Sequence, residues 1–158
     1  MSNLKLTLLA LFAACVVGAE IGLRSAGIRG TLQCGGKAVT DAHIRLLRIP
    51  LNDKKAKEAD FAKEALDIRT TGPSGMFEVT GNTNGRALNE TTLEPAIAIY
   101  HKCDDGEKEK GYRRVVITAP KNAVSPGRTS RKLHDVGHLN LQIVFPGEKR
   151  DKDFKPTL

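Results

Sequence analysis

Tryptophan is absent from the 158 residues, and tyrosine and phenylalanine together number seven. So few rings cannot stack along a nucleic-acid strand, and they leave little aromatic surface to line an apolar ligand cavity once some of them are spent on a core. Cysteine is also scarce, at three residues, so the chain is not a dense disulfide scaffold. Long hydrophobic runs are missing everywhere but the first twenty positions. There Lys5 precedes an apolar stretch of about a dozen residues, Leu6 to Val17, which ends at Val17-Gly18-Ala19. A bilayer-spanning helix needs about 20 apolar residues, whereas a charged start, a short apolar centre and small residues at a cleavage point describe a secretory signal peptide. We therefore expect residues 1–19 to be removed after Ala19, in preference to an N-terminal anchor, since polar sequence begins at Glu20.

Removal of that segment takes Lys5 and Cys15 with it. The remaining chain carries a net charge of +6 and is long enough to bury a sizeable core as one domain. It keeps two cysteines, Cys34 and Cys103, in an oxidising compartment, and we expect them to be bonded to each other. Alternation supports the pairing. Ile28, Gly30, Leu32 and Cys34 share one parity, as do Ile97, Ile99, His101 and Cys103, so each cysteine lies on the apolar face of its strand.

Helical periodicity is weak and period-two alternation recurs. Leu139, Leu141, Ile143 and Phe145 alternate with His138, Asn140 and Gln142, which predicts a half-buried strand. Ile44 with Leu46, Phe77 with Val79, and Val115 with Ile117 mark three more, the last beginning at about Val115. Gly35-Gly36 and Gly72-Pro73-Ser74-Gly75 supply turns between them. Short strands so spaced predict an all-β sandwich of about seven to eight strands. The stretch from Asn52 to Leu66 is rich in Ala, Lys and Glu, with Asp53/Lys57 and Lys54/Glu58 four apart, and reads as a short surface helix or a charged loop. The domain should span residues 20–145. Residues 146–158 are expected to be a charged, disordered tail.

Four pieces then stand in a recognisable order: Ile28 to Lys37, Gly75 to Gly81, Pro95 to Cys103, and Val136 to Leu141. Together they resemble the nematode transthyretin-like family of secreted proteins. The resemblance implies a transthyretin-like β-sandwich. Two departures are visible: residues 107–114 lack the further cysteine common in that family, and Pro73-Ser74-Gly75 lacks its usual acidic residue. Hydrolases of 5-hydroxyisourate are related to transthyretin and carry a C-terminal Tyr-Arg-Gly-Ser, where this sequence reads Phe154-Lys155-Pro156-Thr157-Leu158.

The chemistry-bearing residues form no nucleophile, base and orienting partner with recognisable spacing, so no enzyme is expected. His101, Cys103, Asp104 and Asp105 are zinc-ligand types, but an oxidised Cys103 and a turn at Asp104-Asp105-Gly106 exclude them as a metal site, and no cofactor is expected. His134 and His138 fall on a strand rather than on one helical face. Asn89-Glu90-Thr91 is an acceptor sequon for an N-linked glycan. Lys108, Lys110, Arg113 and Arg114 form a basic cluster suited to contact with anionic lipid or sulfated glycan, and Arg128, Arg131 and Lys132 form another. The expected function is a secreted extracellular binding or bridging module for an extracellular or cell-surface protein. A carrier of a small hydrophobic ligand is the alternative, and a hydrolase ranks below both.

Overall fold

A computed structural model describes residues 22–53 and 55–156. The expected signal peptide and its cleavage point lie outside the described residues. Ten strands and one short α-helix are present among those residues: β1 (Arg24–Cys34), β2 (Lys37–Ala38), β3 (His43–Leu47), α1 (Glu58–Glu64), β4 (Ala65–Thr70), β5 (Met76–Asn82), β6 (Ala96–His101), β7 (Tyr112–Thr118), β8 (Val124–Pro126), β9 (Leu133–Asn140) and β10 (Lys149–Asp151). Seven of the strands have five or more residues; β2, β8 and β10 are the short additions beyond the expected count.

The first sheet is built around β1. Strand β5 runs antiparallel along one side of it, while β8 and then β9 occupy the other, with β9 parallel to β1. Gly35 and Gly36 turn the chain from β1 into β2 with φ of 56° and 83°, a pair of left-handed positions that glycine occupies without steric cost. The second sheet has the order β10-β7-β6-β3-β4, antiparallel throughout. Between the two sheets lies the principal core, in which Ile28, Leu32, Ile44, Leu46, Val79, Ile97, Ile99 and Leu141 are fully buried.

The second sheet is covered on its outer face as well. Leu47, Ala96, Ala98 and Tyr100 point away from the principal core and are sealed by Phe61 of α1 and Phe154 of the C-terminal segment. Strand β6 is therefore buried at all six positions, which is why Ala96-Ile97-Ala98-Ile99-Tyr100-His101 reads as a nearly continuous apolar run. Burying one such phenylalanine contributes about 2 kcal/mol.

Several expectations are corrected here. The segment from residue 146 to Phe154 is part of the fold. Strand β10 adds to the second sheet, Asp151 is buried, and Phe154 stacks on Tyr100 with ring centroids 3.9 Å apart. Three of the charges that suggested disorder, Glu148, Arg150 and Asp151, are paired, as Arg150 grips Asp105 through two bonds of 2.9 and 2.6 Å. The alternating run through Phe145 is not one strand, because β9 ends at Asn140. The Asn140 side chain accepts the Gln142 N–H at 3.1 Å and turns the chain, leaving Ile143 56% exposed. Strand β7 begins at Tyr112, three residues earlier than expected, because β10 and β6 offer its first residues ladder partners on both sides. The helix covers only Glu58–Glu64, and Leu66 belongs to β4, a strand whose alternation is too weak to see. Phe61 makes that helix a lid over the sheet.

Candidate functional site

The outward side chains of β1 alternate with the core residues, so Arg29 and Thr31 face solvent while Ile28, Gly30 and Leu32 face inward. Register places Glu78 beside Arg29 and Met76 beside Thr31 on β5. On the other side, parallel β9 sets Asp135 against Arg29 and His138 against Thr31, with Val136 and Gly137 together opposing the single residue Gly30. That bulge turns Val136 into the core. A Cβ on Gly30 would stand 2.6 Å from Val136 Cγ2 and 3.1 Å from the Phe77 ring, so only glycine permits this close approach of side chain to backbone.

The result is a groove of about 600 Å³ across the outer face of the first sheet. Its floor is small and partly backbone, formed at Gly30 and Gly137, and its walls carry Arg29, Glu78, Asp135 and Met76. Arg29 Nε donates to Asp135 Oδ2 at 3.1 Å, and the other Asp135 oxygen accepts the Gly137 N–H at 2.8 Å. These bonds, that from Gly137 foremost and then that from Arg29, hold the Asp135 carboxyl below the usual carboxylate range, so it is an anion at neutral pH. Glu78 has no ion-pair partner among the described residues, and Met76 is 61% exposed. The groove thus presents an excess of one negative charge beside an apolar thioether, inside a chain whose overall charge is positive.

The residues singled out from sequence fall elsewhere. Cys34 and Cys103 form a disulfide with Cα atoms 5.7 Å apart, tying the end of β1 to the turn after β6 and thereby one sheet to the other. Asp104 sits in that turn with φ of 57°, and Asp105 donates its N–H to Lys102 O at 3.1 Å, so the acidic pair is turn structure. His101 is buried, with Nδ1 accepting the Cys103 N–H at 3.2 Å. Burial first, and then the Arg113 charge, push its pKa down to about 4. His134 and His138 lie on β9 as expected. Asn89 is exposed within a 3₁₀ turn, Leu88–Glu90.

The basic cluster is broken up. Lys108 and Lys110 are exposed in the loop before β7, but Arg113 pairs with Glu148 and donates to Cys103 O at 2.9 Å. Arg114 is buried, paired with Asp151, its guanidinium 3.9 Å from the centroid of the Phe61 ring. Neither arginine is available to an anionic surface. Consecutive residues of a strand point to opposite faces, and the unexpected lid and C-terminal segment cover both of them. The groove itself was half legible, since the alternation in β1 already turned Arg29 and Thr31 outward; the parallel placement of β9 beside them carries no local signal.

Fold and groove together define a two-sheet β-sandwich that offers a concave, charged surface on one sheet and a covered face on the other. The sequence model of the TTR-52 transthyretin-like family matches residues 29–120. Transthyretin-like protein 33 of Caenorhabditis elegans is 35% identical over 142 residues, covering 89% of this chain and 91% of its own length. Transthyretin-like protein 5 of the same organism is 32% identical over 141 residues, covering 87% and 93% respectively. This chain belongs to the transthyretin-like family. Among solved structures, a 9R-lipoxygenase from Cyanothece PCC8801 aligns with 78% of this chain and 17% of its own at 13% identity and a TM-score of 0.38, a likeness too slight to bear on fold or function.

Proposed function

We propose that the protein is a secreted extracellular binding module that works without catalysis and engages a protein partner through the groove on its first sheet. The observation that carries this reading is Glu78, an unneutralised carboxylate beside exposed Met76 in the groove across the first sheet. A basic side chain next to an apolar one on a partner surface would satisfy both. Of the aromatic residues that a carrier of small apolar ligands would need, Phe61, Tyr100 and Phe154 are buried over the second sheet, and Phe77, which borders the groove, is packed into the principal core, which favours a surface for another macromolecule over an internal cavity. At the groove Arg29 and Asp135 hold each other in a pair and Asp135 is fixed as an anion, which suits recognition rather than proton transfer.

The experiment is capture from extracellular fluid with the native protein and with Glu78→Lys. A protein retained by the native chain and lost with the charge reversal is the expected result. A small molecule that co-purifies with both forms, or capture indifferent to the substitution, overturns the proposal.

A further inference from the structure

A second concave surface lies on the opposite side of the sandwich, over the outer face of the second sheet. The segment entering α1 and strand β10 form its two sides, bounding an open, shallow cleft of about 410 Å³. Six basic side chains line it, Lys55, Lys57, Arg114, Lys149, Arg150 and Lys152, against three acidic ones, Glu58, Asp151 and Asp153. Most of those acids are already committed. Glu58 bonds Arg45 at 2.5 Å and accepts from the Tyr100 hydroxyl at 3.2 Å, Asp151 pairs with Arg114, and Arg150 is held by Asp105 outside the cleft. Each of these interactions closes a charge within the fold.

Four lysines remain, with the exposed carboxylate of Asp153 beside them. Lys55, Lys57 and Lys152 are exposed and have no ion-pair partner among the described residues, while Lys149 reaches only a backbone oxygen, that of Asp53, at 3.4 Å. They come from segments almost a hundred residues apart that the covered sheet brings to one cleft. Unpaired like charges facing one concavity repel each other and cost stability. Solubility requires only dispersed charge, so their convergence needs another reason. A polymeric anion provides one, because it places several negative groups along a line and releases its counterions on binding.

We infer that this cleft binds a linear sulfated polysaccharide, with Lys55, Lys57, Lys149 and Lys152 contacting its sulfates. A chain can enter between the two sides, whereas a lipid bilayer is a flat surface and meets protruding residues first. The site lies on the opposite sheet from the groove and does not depend on it. Protein and glycan would therefore be held on opposite faces, which is the geometry of a bridge.

The test uses heparin as the probe. The full chain as secreted is titrated with a heparin hexasaccharide beside two variants of equal charge: Lys55→Ser, Lys57→Ser, Lys149→Ser, Lys152→Ser, and Lys37→Ser, Lys108→Ser, Lys110→Ser, Lys132→Ser. The first should bind at least tenfold more weakly with a shallower salt dependence, the second less than threefold more weakly, and Glu78→Lys should bind as the native protein does. Acetylation footprinting of the unaltered protein supplies a readout free of mutation, with heparin protecting the four cleft lysines in preference to Lys108 and Lys110. Equal losses in the two lysine variants, or protection spread evenly over all lysines, overturn the inference. So does binding to phosphatidylserine vesicles that depends on the same four lysines and exceeds binding to heparin.

Discussion

His101 shows how burial turns a titratable residue into a structural one. Its Nδ1 accepts the Cys103 N–H, which leaves the ring proton on Nε2, and a second proton would put a charge where almost no water reaches. Its folded pKa of about 4 lies below the ordinary value of 6.5, so between those values the unfolded chain binds the proton and the folded chain does not. Stability should accordingly fall as the pH drops from about 6.5 to about 4, and this residue should add no further loss below that. The full term is on the order of 3 kcal/mol. His101→Asn, whose side-chain oxygen takes the place of Nδ1, should flatten that part of a pH series of urea melts; an unchanged slope would show that other groups govern the acid limb. Asn89 is the other residue with a local prediction. It is exposed in a turn, so a glycan there meets no steric obstacle, and native protein should gain mobility on gels after N-glycosidase treatment.

At the level of elements, the C-terminal segment is the strongest departure from expectation. Glu148, Arg150 and Asp151 look like a solvated run in sequence, yet each meets an opposite charge on another element, and Phe154 inserts between Tyr100, Tyr112 and His43. Arg45 lies over the Phe154 ring at 5.0 Å, adding a cation–π contact of about 1 kcal/mol in this desolvated setting. Phe154→Ala should therefore destabilise the protein by about 3 to 4 kcal/mol, the usual penalty for emptying an aromatic core position. Native-state proteolysis should show the segment after residue 148 becoming susceptible in that variant. A loss below 1 kcal/mol would mean that the segment is a dispensable tail after all. The helix is held by the same logic. Seven residues are too few to be stable alone, and it persists because Phe61 is buried, Glu58 is anchored to Arg45, and the Glu64 carboxylate accepts from Arg48 Nε at 2.7 Å.

For the molecule as a whole, the disulfide joins the end of β1 in one sheet to the turn after β6 of the other across a sequence separation of 69 residues. Closing a loop of that length in the unfolded chain is worth about 4 kcal/mol in the chain-entropy picture. Replacing both cysteines by serine should lower the melting temperature by well over 5 °C, and mass spectrometry of the native protein should find no free thiol at either position. The same bridge fixes the end of β1, whose middle carries the groove residues Arg29 and Thr31. The double serine variant should for that reason also bind the groove's partner more weakly, while the lysine cleft, carried by the other sheet, keeps its affinity as long as the protein stays folded.

Sequence alone determined the class of fold, because alternation in Ile28 to Cys34, Ile44 with Leu46 and Phe77 with Val79 is a property of each strand and needs no partner to be read. It likewise brought Cys34 and Cys103 together by parity and count. Tertiary structure decided everything that depends on which strand lies beside which. The parallel placement of β9 against β1 made a groove from residues more than a hundred positions apart, and the cover over the second sheet buried Arg114 and gathered Lys55, Lys57, Lys149 and Lys152. Charge in a sequence has no sign of its surroundings. An arginine in a basic run is a surface contact or a buried counter-ion according to what packs over it, and only the fold supplies the carboxylate and the ring that settle the choice.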